Sequence, residues 1–418
     1  MNLPKLRFPE FSGDWKQKKI SSFLEPVGIP AKVLPEEQYR EIGVRSHGKG
    51  IFHKEPVSGA SLGEKRVFHV VPYTLVFNIV FAWEQALAIL SDDETGFIAS
   101  HRFPMFAEKD DQSYLPFIRK FFLRPQGKAL LEMASPGGAG RNKTLGKQAF
   151  LNLKAVIPHR DEQKKIASFL EAVDSRMLGM QRERDLLASY KTGLMQRLFN
   201  QDLRFTSDSG EPFPDWEEKR LGDMFDWVRT NNLSREYLTT EGGSVQNIHY
   251  GDIHTKYSAN FRQSREQVPF VHESAPIKDF TAAEYCRVGD VIIADASEDY
   301  ADIGKAIEIV ELSDIPLVAG LHTYIARPKI EQLVVGFSGY LLRSAPMRKQ
   351  IMRVAQGISV LGVSKGNLSG LKFWLPHPDE QRQIAGALSA IDAKIDAITV
   401  QINQLEHFSK GLRQQLFA

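Results

Sequence analysis

One cysteine, Cys286, is all the chain holds in 418 residues. That excludes a disulfide within the chain and a zinc cage built from cysteines, and it fits a reducing compartment. Long apolar runs are missing as well. The most hydrophobic stretch, residues 70–83 (VVPYTLVFNIVFAW), is interrupted by Pro72 and Asn78 and is too short to span a bilayer. The opening MNLPKLRFPEF has no apolar core of the signal-peptide kind, so a cytoplasmic location is expected and no membrane partner. Excess charge of one sign is also absent. Fifty-three Lys and Arg against 51 Asp and Glu leave a net charge of +2. A chain that held nucleic acid by its phosphates alone would be more basic. Either positive charge is gathered locally, or other subunits supply part of the grip.

Enzyme motifs are equally scarce. The loop GGAGRNKT (137–144) fails as a phosphate-binding loop because Asn142 stands where glycine is required, and its glycines do not keep the G-x-G-x-x-G spacing. No Asn-Pro-Pro-aromatic tetrapeptide of the kind that holds a flipped base occurs. His249 and His254 lie five apart in an expected loop without a carboxylate cluster, so no metal site is expected. His159 and His377 each precede Asp-Glu, a setting that reads as a helix start rather than acid–base chemistry. No Ser-His-Asp set can be assembled from the sequence.

What the chain does have is a repeat. Residues 157–199 align without a gap to 375–417, with sixteen identities in forty-three positions. IPHRDEQKKIASFLEAVDSRM and LPHPDEQRQIAGALSAIDAKI are its most similar parts. The period is too long for a solenoid, so the molecule is built as two halves. Its composition, 42% hydrophobic and 25% charged, is that of a globular protein with two or three domains.

Both repeated segments read as helices of about 38 residues, roughly 57 Å long. Apolar residues recur at alternating steps of four and three: Ile166, Leu170, Val173, Met177, Met180, Leu187, Leu194 and Leu198 in the first copy. The second copy has Ile384, Leu388, Ile391, Ile395, Ile398, Ile402, Leu405, Leu412 and Leu416. That 3.5-residue period marks a coiled-coil seam. The two copies are each other's natural partner. The alternative is that each seam packs only on its own neighbouring domain, and the pattern does not fix the direction of pairing. Asp161 and Asp379 are expected N-caps, Glu162 and Glu380 suit the positive helix end, and Asn200 can end the first helix.

The flanking stretches LRFPEFSGDW (6–15) and LRFTSDSGEPFPDW (203–216) echo each other more faintly. The organisation expected is therefore a globular domain at 1–156, a helix at 157–200, a second domain at 201–374 and a second helix at 375–418. Both domains read as mixed α/β, with short β-branched and aromatic runs between Gly, Pro and Asn turns. RVGDVIIADAS, AIEIVEL and LHTYIARP read as strands, and residues 340–357 as a helix ending at glycine.

Several polar loops carry side chains that contact phosphates or base edges. In the first domain these are Arg45, His47, Lys49, His53, Lys65, Arg66, Arg102, Arg141, Asn142 and Lys143. In the second they are Arg229, Asn231, Asn232, His249, Tyr250, His254, Lys256, Ser297, Tyr300 and Lys365. Each loop alone reads more readily as a solvated surface than as a reader of DNA.

Taken together, the chain resembles the specificity subunit of type I restriction–modification systems. IPHRDEQKKI and LPHPDEQRQI are similar to that family's Pro-x-x-x-Glu-Gln-x-x-Ile, and GDVIIADAS with IGKA, and NIHYGDI, look like stretches of its target-recognition domains. The resemblance implies an α/β architecture of two such domains joined by two long antiparallel helices in a pseudo-twofold arrangement. Each domain would read one half of a bipartite site in double-stranded DNA. The helices would set the spacing and dock two methyltransferase subunits, and restriction subunits would join that core. S-adenosylmethionine, ATP and magnesium would be used by those partners, with no cofactor and no catalysis on this chain. The first domain lacks a close match to NIHYGDI, so the two domains are expected to read different sequences. Two other classes stay open at this point: a coiled-coil scaffold between interaction domains, and a nuclease or methylase in its own right.

Overall fold

The computed structural model describes residues 3–137, 143–276, 279–329 and 332–417. The chain divides into two units, Met1–Met180 with Gln401–Ala418, and Gln181–Val400. Each unit therefore takes its own domain, one end of one long helix and part of the other.

In the first unit, strands Leu87–Ile89, Leu75–Phe77, Met105–Glu108 and Leu24–Val27 form an antiparallel sheet in that order. Helices Leu115–Phe122 and Pro125–Met133 cover it. The core is aromatic: Phe77, Phe106, Phe122 and Phe150 meet at centroid distances of 4.9–6.2 Å, within the range for attractive edge and offset contacts. A two-stranded ribbon, Lys16–Lys19 against Lys154–Ile157, leads into the first long helix, Arg160–Phe199.

The second unit is built on a five-stranded sheet ordered Phe225–Val228, Thr323–Pro328, Val291–Ala294, Ala306–Glu311 and Asn260–Arg262. The first four run antiparallel and the last pair parallel. Val291–Ala294 is buried along its whole length, as a central strand rich in Val and Ile should be. The ribbon recurs as Glu217–Arg220 against Lys372–Leu375, and leads into the second long helix, Pro378–Gln415. The segment read as one helix at 340–357 is two, Ser338–Arg343 and Ala345–Val354. Pro346 forces the break, because it has no N–H to bond the Leu342 carbonyl in a continuing helix and its ring crowds that carbonyl. Ser344 is extended, with φ −66° and ψ 152°.

Along both long helices the apolar series is the protected face. Ile166, Leu170, Met180 and Leu198 are buried, with Val173, Met177, Leu187 and Leu194 half-buried between them. Ile384, Leu388, Ile398, Ile402, Leu412 and Leu416 are buried, with Ile391, Ile395 and Leu405 half-buried. The seam serves both expected partners. In the first unit Ile166 and Leu170 share a domain core with Leu412, Leu416 and Phe417. In the second, Leu198 and Phe199 share one with Ile384 and Leu388. Glu183 pairs with Lys394 at 3.2 Å and Lys191 with Asp392 at 2.7 Å, so within the second unit the helices run antiparallel.

The caps differ from expectation. The helices begin at Arg160 and Pro378, so Asp161 and Asp379 lie in the first turn, where their charge meets the helix dipole. The capping acceptors are the Nδ1 atoms of His159 and His377, which face the N–H groups of Asp161 and Asp379 at 3.5 and 3.3 Å. Beyond Phe199, Gln201 takes the left-handed conformation with φ 63°, rather than Asn200.

Candidate nucleic-acid interface

The repeated Glu-Gln pair is the mount on which each domain sits. Glu162 is buried and receives Arg7 through Nε and Nη2 at 2.8 and 2.7 Å, and Trp15 Nε1 at 3.2 Å. Glu380, also buried, receives Arg204 through Nε and Nη2 at 3.1 and 2.8 Å, and Trp216 Nε1 at 2.9 Å. The twin LRF…DW segments therefore exist to satisfy two buried carboxylates. Gln163 donates to the Pro158 and Gln112 carbonyls and accepts from the Tyr114 N–H at 2.9 Å. Gln381 does the same with Pro376, Gln332 and Val334. One residue thus pins the ribbon to the turn before the next domain helix. Sequence reading valued these glutamates for the helix dipole and missed Arg7, Arg204 and both glutamines. The signal was present in the paired Arg and Trp of the two segments.

In the second unit, loops converge at one end of the five-stranded sheet. Thr230 donates to the Thr323 carbonyl at 2.8 Å, and the Asp295 N–H to the His322 carbonyl at 3.0 Å. Residues 229–232, 295–301 and 320–323 are neighbours as a result. Tyr250 lies in an aromatic cluster with His249 at 4.6 Å, His322 at 5.3 Å and His254 at 5.7 Å. His322 adopts φ 57° and meets Asp295 at 3.1 Å. Lys365 lies 5.1 Å over the Tyr324 ring, whose hydroxyl pKa burial pushes up to about 12. Arg229, Asn232 and Tyr300 are exposed at this end. Sequence reading did not single out His322, or Asp295 within GDVIIADAS; the two meet through strand pairing.

Four of the residues expected to contact bases or phosphates in this unit have structural partners within the chain. Asn231 is buried; its amide donates to Asn247 at 2.8 Å and its oxygen accepts from the Leu233 N–H. Ser297 is buried and accepts from the Asp299 N–H at 3.0 Å. His249 is buried and caps helix Tyr250–Thr255, accepting from Gly251 at 3.1 Å. Burial, then the adjacent Arg235 charge, lowers its pKa to about 4, so it is neutral at pH 7. Lys256 is tied to the buried Asp252 at 2.8 Å. His254 lies on that short helix rather than in a loop, half-buried, and burial lowers its pKa.

In the first unit two groups form. The loop carrying Arg45, His47 and Lys49 is held down by the His47 N–H on the Glu84 carbonyl and by Arg119 on the Gly48 carbonyl, both at 2.8 Å. Gly48 is required there: a Cβ would lie 2.5 Å from Leu123, at φ 64°. Lys143 joins this group by standing 5.2 Å over Trp83. Lys65, Arg66 and Arg102 form the second group, linked by the His101 N–H on the Arg66 carbonyl at 3.0 Å. His53 is committed elsewhere, bonded to Glu94 at 2.8 Å and tilted on Phe97. Arg141 and Asn142 lie outside the described residues.

Among the described residues no group of His, Cys, Asp or Glu has metal-binding geometry, and no helix is long and apolar enough to cross a membrane. Burial pushes the Cys286 thiol up, which makes it a poor nucleophile.

Residues 214–407 match the family model of the type I restriction modification DNA specificity domain. The type I restriction enzyme MjaVIII specificity subunit of Methanocaldococcus jannaschii is 27% identical over 281 residues, 65% of this chain and 62% of that protein. The putative MjaX specificity subunit of the same organism is 25% identical over 50% of this chain and 47% of that one. The matches thus span about half to three-fifths of the curated relatives. Among solved structures, the Type-I restriction-modification system S subunit of M. genitalium aligns with TM-score 0.58 and 15% identity, covering 100% of this chain and 99% of that one. The HsdS subunit of Thermoanaerobacter tengcongensis aligns with TM-score 0.52 and 17% identity over 98% of each. The likeness in fold therefore extends over the whole chain.

Proposed function

We propose that the chain belongs to the specificity-subunit family of type I restriction–modification systems and is the non-catalytic subunit that selects the DNA sequence. Each domain reads one half of a bipartite site in double-stranded DNA. The long helices set the spacing between the halves and dock two methyltransferase subunits, with restriction subunits completing the assembly in the cytoplasm. S-adenosylmethionine, ATP and magnesium are used on those partners. The functional boundaries follow the repeat: reading domains at 1–156 and 201–374, helices at 157–200 and 375–418.

One observation carries this reading. The mounts are the same in both halves, down to Arg, Trp and the Glu-Gln pair, while the surfaces they carry differ. Among the described residues the first unit carries a basic loop beside Trp83, and the second carries the Tyr250 and His322 cluster. Like mounts for unlike surfaces suit a molecule whose attachment is constant and whose choice of sequence varies. Domains held at a fixed separation accept only half-sites with matching spacing.

The test is a methylation map of the host genome with and without the gene. Loss of one bipartite N6-methyladenine motif on deletion is the expected result, and exchange of residues 15–156 should change one half of that motif alone. An unchanged map, together with DNA binding by the assembled complex that does not fall as salt rises, would refute phosphate-based recognition.

A further inference from the structure

The second domain presents a seven-residue hairpin, with the bridge Gln356↔Gly362 at its base. In the first domain the bridge Gly137↔Lys143 stands at the corresponding place in the chain. Each bridge lies between a domain helix, Pro125–Met133 or Ala345–Val354, and a short helix, Lys147–Asn152 or Lys365–Ser369. The hairpin of the second domain is rigidly founded. Gln356 and Gly362 exchange both backbone hydrogen bonds at 2.9 and 2.7 Å, and Leu361 pairs with Ser297 across strands. Leu361 and Val363 are buried. Gly357 turns the chain at φ 126°, where a Cβ would lie 2.0 Å from the Val360 carbonyl oxygen. At the tip of this fixed support Ile358 is 102% exposed and Val360 58%. An exposed isoleucine is ordinary by itself. Two β-branched side chains on a pinned tip, joined by strand pairing to the sheet end that carries Tyr300, His322 and Lys365, are not.

We infer that Ile358 is a specificity-determining residue of the second domain, and that it reads an apolar group on the major-groove edge, the C5-methyl of a thymine. This rests on the DNA-reading function proposed above. Two features favour a base edge over other contacts. Glu298 and Asp299 follow Ser297, the residue paired with Leu361, and both are exposed; carboxylates beside the tip disfavour phosphates, while base edges offer both methyl groups and amino donors. The two chain segments also differ in sequence chemistry: residues 357–361 read GISVL, and residues 138–142, which lie outside the described residues, read GAGRN. A surface for a partner common to both halves would keep its chemistry, as the mounts do. Readers of different half-sites would not.

The experiment uses the full chain assembled with its methyltransferase partner and duplexes carrying the mapped motif. Deoxyuridine replaces each thymine of the second half-site in turn. Loss of one buried methyl should weaken wild-type binding about fourfold at one position. Ile358→Ala should bind the thymine duplex about fourfold or more weakly, and show no further loss with deoxyuridine there. Thermal unfolding should not shift, because the side chain is fully exposed. Equal weakening by Ile358→Ala on thymine and deoxyuridine duplexes would mean a wedge between bases and would overturn the inference. So would weaker methyltransferase assembly with DNA binding intact, or a second half-site without an A·T pair. If Ile358→Ala changes nothing while exchange of a domain still alters the motif, this inference fails and the DNA-reading function stands. If the assembled complex ignores the motif altogether, both fail.

Discussion

Replacing Arg204 with alanine tests whether the mount holds the second domain. Arg204 donates two bonds to Glu380 at 3.1 and 2.8 Å, and two more to the Phe213 and Pro214 carbonyls at 3.2 and 2.6 Å. Glu380 has no exposed side-chain surface, whereas Arg204 is 24% exposed. Removing the guanidinium leaves a buried carboxylate with only the Trp216 N–H. Breaking a buried pair from one side costs about 3–5 kcal/mol. Water can enter where the partly exposed arginine stood, so the lower end applies, about 3 kcal/mol. The reverse change, Glu380→Gln, leaves a cation that solvent can reach, and should cost about 1–2 kcal/mol. The double variant should fall short of the sum, with a coupling of about 1–3 kcal/mol. Equilibrium urea unfolding of the full chain and its three variants gives that cycle. Arg204→Ala within about 0.5 kcal/mol of wild type, or strictly additive losses, would refute the mount as described.

Three further outcomes follow from the same structure. His249 is neutral in the folded chain, with its pKa lowered to about 4, while the unfolded chain takes a proton below pH 6.5. The second unit should therefore lose roughly 2 kcal/mol between pH 8 and pH 5, and His249→Asn should flatten that part of a pH-stability profile. Glu308 works in the opposite sense. Its buried carboxyl, held up at about pKa 7 by desolvation despite the N–H groups of Gly336 and Gly339, favours the fold at low pH and less so as pH rises from 4.5 through 7; Glu308→Gln should remove that slope in the same titration. At the interface, Arg229→Ala and Lys365→Ala should each lower the salt slope of DNA binding by about one, measured on the assembled complex, while Asn231→Ala should instead lower stability, because its partners are Asn247 and the backbone.

Periodic features were legible in the sequence, and paired ones were not. The seam could be traced because burial along a helix repeats every three to four residues, and Ile384, Leu388, Ile398 and Ile402 announce it without reference to anything distant. The α/β character of each domain was similarly local. The interface was harder. Asn231 and Asn232 are chemically alike and adjacent, yet one is buried against Asn247 and the other exposed; only the fold of residues 229–233 separates them. His322 and Asp295 lie twenty-seven residues apart and meet because their strands pair. Ser297 and His249 looked available because they are polar, when local backbone N–H groups already occupied them.

The repeat itself shows what such a molecule must keep and what it is free to change. Asp174 and Asp392 occupy the same helix position in the two copies. Asp174 is bonded to Lys120 at 3.1 Å, from the first domain, and to Arg413 near the end of the second long helix. Asp392 is bonded to Tyr340 at 2.7 Å, from the second domain, and to Lys191 near the end of the first. Both carboxylates therefore join a domain to the far end of the opposite helix, but not one of the four donors is shared in kind and place. A carboxylate accepts from ammonium, guanidinium or phenol with little change in geometry. A fixed acceptor on each helix can thus retain a domain whose own sequence drifts, provided the domain keeps some donor within reach. Glu162 and Glu380 obey a stricter rule and kept both Arg and Trp, because a fully buried charge tolerates only a complete set of partners. The strictness of each joint follows the burial of its carboxylate, and that is how two unlike loop surfaces come to be carried on one repeated frame.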